Sequence, residues 1–225
     1  PEAHRRYGSA GSIVAIIDTG IDPLHPLLRD SLVPGYDFVR DLPGPPSELD
    51  DLDPLTRTIF SPYTTAILDS VGEPTPYSPA ILHNATAIRL QPTRPPPQFG
   101  HGTMVAGLVR LVAPGARIMP LKPFGADGKA PLFQLLQSIY YAVDNGAKVI
   151  NMSLSLSASS LELENAIRYA ASKNVIVIAS AGNSGLEIMS YPAGYPQVIG
   201  VASTTLDDTP SVFTNHGDNV TTIAA

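Results

Sequence analysis

The run Ile13-Val14-Ala15-Ile16-Ile17 contains no polar side chain and is rich in β-branched residues. A strand with one face in water alternates apolar and polar residues, whereas a strand that is apolar throughout is covered on both faces. Short, largely apolar runs return at residues 118–121, 148–152, 175–179 and 198–201. Helical patterns separate them. Residues 101–111 carry the small pair Ala106 and Gly107. Residues 131–145 put Leu132, Leu135, Leu136, Ile139 and Val143 on one stripe, with Pro131 in the first turn and Gly146 as the C-cap. Ser159 and Glu162 read as a capping box ahead of Leu163, Ala166, Ile167 and Ala170. Strands that alternate with helices are joined by crossovers, and crossovers make sheets parallel. The expected fold is therefore α/β, a mostly parallel buried sheet with helices on both faces.

Composition narrows the function. The 225 residues include no cysteine, which excludes disulfide scaffolds, thiolate-ligated metals and thiol nucleophiles. Fourteen Lys and Arg stand against 20 Asp and Glu, with five His, for a formal charge of -6. That balance argues against nucleic acid and anionic membrane as partners. No apolar stretch reaches the ~20 residues that span a bilayer. Twelve of the 23 prolines fall within residues 41–98. That stretch has no sustained helical or strand period and is expected to be a surface insertion, either an ordered lid or a solvent-exposed decoration. The first residue is Pro1, and residues 220–225 read as a strand that ends without a turn. Both ends look like cuts, so the chain is expected to be part of a longer protein, a domain over 1–225 that is incomplete at its C-terminal end.

In parallel α/β sheets, sites form at the carboxyl ends of the strands. Three segments fall there: Asp18-Thr19-Gly20, Asn151-Met152-Ser153, and Ala181-Gly182-Asn183-Ser184-Gly185. Gly100-His101-Gly102-Thr103 opens a helix after the proline-rich stretch. A carboxylate at Asp18 needs hydrogen bonds or a partner. Glycines on either side of His101 let a partner approach the ring. The amide of Asn183 can hold a turn or donate to an oxyanion. Several other patterns lose on inspection. Gly100-x-Gly102 lacks the third glycine of a dinucleotide fingerprint. Ser184 is not in a G-x-S-x-G elbow and reads as a turn residue. A single D-T-G cannot supply the two aspartates of an aspartic protease. Nothing in the spacing of Asp18, Asp22, His25 and His101 demands a metal.

Together the segments resemble the subtilisin-like serine peptidases, the subtilases. The resemblance rests on Val14-Ala15-Ile16-Ile17-Asp18-Thr19-Gly20-Ile21-Asp22 with His25-Pro26, and on His101-Gly102-Thr103-Met104-Val105-Ala106-Gly107. It continues in Val149-Ile150-Asn151-Met152-Ser153-Leu154, Ala179-Ser180-Ala181-Gly182-Asn183-Ser184-Gly185, Tyr191-Pro192-Ala193 and Val198-Ile199-Gly200-Val201-Ala202-Ser203. Order and spacing agree over nearly the whole chain except the proline-rich stretch. The resemblance implies a serine endopeptidase. Asp18 would be the triad carboxylate, His101 the general base and then acid, and Asn183 the side-chain oxyanion donor. It implies that Ser153-Leu154-Ser155 lines the S1 pocket and pairs with the substrate backbone. Ser180-Ala181-Gly182 would form the opposite wall, and residues 125–130 the other side of the peptide.

Three departures stand out. The family's G-T-S-x block, which carries the nucleophile, is absent from the 225 residues. The expectation is that the serine lies beyond this chain, and that this piece is inactive without it. Ser155-Leu156 stands where the family usually has two glycines, so Leu156 is expected to reshape the pocket. Met104 replaces a common second histidine outside the triad. A catalytically silent, peptide-binding subtilase-fold module is the alternative to the peptidase. The remaining expectations are a polypeptide substrate, a monomer, an extracellular location and no required cofactor or metal. Calcium is a candidate ligand at Asp50, Asp51 and Asp53, whose spacing lacks the glycine and terminal glutamate of an EF-hand loop.

Overall fold

The computed structural model describes residues 11–53, 57, 96–217 and 223–224. Eight strands are described: β1 Ile13–Ile17, β2 Tyr36–Asp37, β3 Leu42–Pro43, β4 Arg117–Lys122, β5 Val149–Met152, β6 Ile176–Ser180, β7 Val198–Ala202 and β8 Ile223–Ala224. They form one sheet in the order β3-β2-β4-β1-β5-β6-β7-β8. Every neighbouring pair is parallel except β2 with β3. Among the described residues three α-helices accompany it: α1 His101–Val112, α2 Leu132–Asp144 and α3 Leu161–Ser172.

The two-sided burial expected of β1 is present residue by residue. Ala15 and Ile17 join a core made with Leu135, Ile139 and Ala142 of α2 and Leu163, Ala166, Ile167 and Ala170 of α3. Ile16, between them, joins a second core with Ala106 of α1, Ile118, Ile21 and Leu28. Successive side chains of a strand point to opposite faces, so one apolar run serves two helical layers. Fully burying an isoleucine is worth roughly 1.5–3 kcal/mol. A polar residue at any of these positions would therefore cost one layer or the other.

Local boundaries differ from expectation at both helix starts. Pro131 keeps an extended ψ of 143° and precedes α2 as its N-cap rather than entering its first turn. Ser160, not Ser159, caps α3: its hydroxyl accepts from the N–H of Leu163 at 3.1 Å and donates to Glu162 at 2.8 Å. At the other end of α2, Asn145 is the C-cap and Gly146, with φ +84°, follows it.

The larger correction concerns residues 41–98. Leu42–Pro43 pairs with Tyr36–Asp37, and a 3-10 turn at Glu48–Asp51 follows. Leu49 and Leu52 are buried, and so is Glu48. Residues 46–49 and 52 of the expected surface insertion are thus packed inside the fold, while residues 41–43 are exposed. Most of the remaining stretch, residues 54–56 and 58–95, lies outside the described residues. At the other end, Ile223–Ala224 pairs in parallel with β7, while the rest of the expected 220–225 strand lies outside them.

Candidate active site

Asp18 is the first residue past β1, and its N–H still bonds to Leu121 O of β4 at 3.0 Å. The chain then turns through Thr19 and Gly20. Gly20 has φ +100°, and a Cβ there would stand 3.0 Å from both Pro46 O and the Lys122 side chain. The turn therefore needs glycine. Asp18 is 4 % exposed. Its Oδ1 accepts from Thr19 N at 2.7 Å and from His101 Nδ1 at 2.8 Å. Its Oδ2 is buried and has no hydrogen-bond partner among the described residues.

His101 arrives from a distant point in the chain because α1 begins directly against this turn. A Cβ on Gly102 would stand 2.0 Å from Gly20 O, so only glycine lets the helix approach this closely. Gly100, the N-cap, is left-handed and offers no side chain to the orphan N–H groups of the first helical turn. Those groups are met from elsewhere: Gly102 N donates to Thr19 Oγ1 at 3.2 Å and to Glu48 Oε1 at 3.1 Å.

An ionised carboxylate has no proton to give, so His101 carries its hydrogen on Nδ1 and leaves Nε2 as the basic nitrogen. The pKa of His101 is raised chiefly by the hydrogen bond to Asp18, against the opposing effect of burial, with further help from the charges of Asp18 and Glu48. A buried carboxylate that orients and charges an imidazole, next to an open cleft, equips the site for proton transfer.

That cleft is about 230 Å³ and is lined by Asp18, His101, Phe124, Ser153, Leu154 and Ser155 among others. Asp127 and Gly128, from the expected 125–130 edge, also reach it. The pair and the first expected wall are therefore in one place. The second wall, Ser180, Ala181 and Gly182, is at the end of the adjacent strand β6 and does not line the cleft. It is tied to the first by Ser180 Oγ, which donates to Leu154 O at 3.1 Å. Asn183 stands exposed in the following turn. Leu156 does not line the cleft either: its backbone pairs with Tyr191 at 2.7 and 2.9 Å, and its side chain packs on the main core. The N–H of Ser184 bonds to Asn215, in keeping with a turn residue.

Two buried charges were not singled out in the sequence. Glu48, 1 % exposed, receives Thr19 Oγ1 at 2.6 Å, Gly102 N at 3.1 Å and Thr103 Oγ1 at 2.5 Å. Burial is the main reason its pKa rises from the usual 4.5 to about 7; the bonds from Thr103, Thr19 and Gly102 oppose the rise and the charge of Asp18 adds to it. Lys122, with no exposed surface, donates to Thr19 O at 2.6 Å, Asp51 Oδ2 at 2.6 Å and Phe124 O at 2.8 Å. Arg40 bridges Asp51 to Asp37. Asp51 is thus engaged by two cations and Asp50 by Arg57, which leaves the calcium expectation little free carboxylate. Among the described residues no group of three or more His, Asp or Glu gathers as a metal site. The signal for Glu48 was present in Leu49 and Leu52, two apolar residues three apart in a stretch otherwise read as solvated.

The subtilase family model, Peptidase_S8, matches residues 9–225. The chain belongs to the subtilase family. It is 32 % identical over 217 residues to the thermophilic serine proteinase of Bacillus sp. (strain AK1), covering 96 % of this chain and 44 % of that protein. It is 30 % identical over 220 residues to thermitase of Thermoactinomyces vulgaris, covering 98 % of this chain and 64 % of thermitase. The chain thus spans less than two thirds of either relative. The crystal structure of a cold adapted subtilisin-like serine proteinase superposes with a TM-score of 0.68 at 23 % identity, over 98 % of this chain and 66 % of that one. The fold is subtilisin-like. No helix among the described residues is long and apolar enough to cross a membrane.

Proposed function

We propose that this chain carries the carboxylate and the base of a serine endopeptidase. The observation that supports this most directly is the 2.8 Å contact between His101 Nδ1 and the buried Asp18 Oδ1 at the edge of the cleft. In this reading His101 Nε2 takes the proton of a serine hydroxyl as that oxygen attacks the scissile carbonyl. Asp18 stabilises the imidazolium that forms. The same proton then passes to the leaving amine, and an acyl-enzyme remains to be hydrolysed by water. Asn183 donates to the oxyanion of the tetrahedral intermediate. No residue of the chain is assigned as the nucleophile, so the reading requires a serine presented to Nε2.

The substrate is a polypeptide in extended form, held by Ser153, Leu154 and Ser155 on one side and by Ser180, Ala181 and Gly182 on the other. The protein works outside the cell as a monomer and without a required cofactor, calcium being an accessory ligand at most. The acidic balance of the chain supports a partner other than nucleic acid.

The test is hydrolysis of an unstructured protein substrate by the full-length natural protein. His101→Ala is expected to lower kcat/KM about 10⁴-fold or more. Equal turnover in that variant would remove the assignment. A folded full-length protein that binds peptides but cleaves none would favour the silent module instead.

A further inference from the structure

Glu48 is placed where two distant segments meet. The turn after β1 brings Thr19; the start of α1 brings Gly102 and Thr103. One carboxylate is bonded to all three, with Oε1 receiving Thr19 Oγ1 and Gly102 N and Oε2 receiving Thr103 Oγ1. Thr103 Oγ1 in turn accepts from Asp22 N at 2.7 Å, so the clamp runs through to the far side of the turn. Three donors suit an ionised, acceptor-only carboxylate. Burial works against that charge, which makes the group sensitive to pH near neutrality.

Thr19 Oγ1 has one proton and two carboxylates within reach: Glu48 Oε1 at 2.6 Å and Asp18 Oδ1 at 3.2 Å. The shorter contact takes it. While Glu48 is ionised, Asp18 Oδ1 is left to Thr19 N and to His101.

We infer that Glu48 is a positioning residue for the Asp18–His101 pair: it clamps the turn that bears Asp18 to the helix start that bears His101, and its charge acts on the imidazole across that joint. It acts through Asp18 and His101 and touches neither cleft nor substrate. The charged groups around the joint are Asp18 at the end of β1, His101 on α1, Asp22 in the turn and Lys122 of β4. The Lys122 ammonium is committed to Asp51, Thr19 O and Phe124 O, and so does not neutralise Glu48 directly. The consequence for turnover rests on the peptidase reading; the consequence for the titration of His101 does not.

The test is therefore made on this chain by NMR, independent of activity. The His101 ring signal, identified by its loss in His101→Gln, is followed against pH in the unmodified chain and in Glu48→Gln. The expected result is a His101 midpoint at lower pH in Glu48→Gln, because a negative neighbour has become neutral. The same midpoint in both folded proteins would overturn the inference. Where Glu48→Gln does not fold, the unmodified chain decides. Glutamate side-chain carboxyl signals are then followed over the same range. One glutamate titrating near pH 7, with an inflection in the His101 signal at the same pH, supports the inference. All glutamates titrating in the ordinary carboxylate range would refute it. Peptidase activity absent from the full-length protein, with the coupled titration intact, would count against the proposed function alone.

Discussion

The end of β1, which lines the cleft, and the end of β6, which lies beside it, are stabilised by different means. At the end of β1 the turn is held by charge: Glu48 and Lys122, both buried, bond to the Thr19 hydroxyl and carbonyl, and Asp51 joins Lys122 to Arg40. At the end of β6 the turn is held by neutral groups. Ala181 N bonds to Val201 O at 2.8 Å, Ser190 Oγ donates to Ala181 O, and Asn215 bonds to both Gly182 and Ser184. The first turn must fix an imidazole against a carboxylate, a task for which geometry and field both matter. In the proposed function the second has only to present backbone and the exposed Asn183 amide. Changes of charge or pH should therefore separate the two ends.

The largest effect is expected at Lys122. Replacing it with Met removes the ammonium and leaves Asp51 and two carbonyl oxygens, Thr19 O and Phe124 O, without that donor. Breaking one side of a buried pair costs about 3–5 kcal/mol. Urea denaturation should show a loss of this size. A loss below about 1 kcal/mol would mean that water or a neighbour replaces the cation, and that the β1 end is less dependent on charge than its hydrogen bonds imply.

Most of the frame around these charges was legible in the sequence, while the charges themselves were not. The apolar run at β1, the stripe on α2 and the carboxyl-end rule located Asp18 and Ser153 because each signal is local or periodic. His101 stood out through its glycines, one of which proves indispensable for helix–turn contact at Gly102. Lys122 gave no such signal, and Glu48 only the indirect one of its apolar neighbours Leu49 and Leu52. Their contacts join residues 55 and 71 positions apart through single side chains, which no periodicity records. The proline content of residues 41–98 also hid a packed turn, because proline suppresses helix and sheet patterns without preventing burial of Leu49 and Leu52.

The next effect is on pH. Glu48 binds a proton more tightly in the folded chain, with a pKa near 7 against the ordinary 4.5, so between these values the folded state holds more protons than the unfolded. Stability therefore falls as pH rises through that window, by about 3 kcal/mol in all. His101 works in the same direction. Its folded pKa is raised, so its contribution is full below the unfolded pKa and is lost as pH climbs through the folded one. Urea midpoints should be higher near pH 5 than near pH 8, and Glu48→Gln should flatten most of that slope. A slope unchanged in the variant would assign it to other groups.

The smallest effect is expected at the β6 end, and it completes the contrast. Asn215 is 1 % exposed, and its Oδ1 accepts from Ser184 N at 2.8 Å. A Cβ on Gly182 would stand 2.4 Å from its Nδ2, so the amide also fills the space that this glycine leaves. Asn215→Ala removes one neutral hydrogen bond and leaves the part-buried N–H of Ser184 without that acceptor, at a cost of about 1 kcal/mol. No ionisable group takes part in that bond, so the cost should be the same at pH 5 and pH 8. The His101 titration should be unchanged, because β5 lies between the two ends and the side-chain bond that ties the β6 end to the segment after β5, Ser180 Oγ to Leu154 O, is neutral. Hydrogen exchange should quicken at residues 182–185 with no change at Gly102. A shift of the His101 midpoint in Asn215→Ala would mean that the two ends are coupled, and that the difference between charged and neutral support does not divide the cleft.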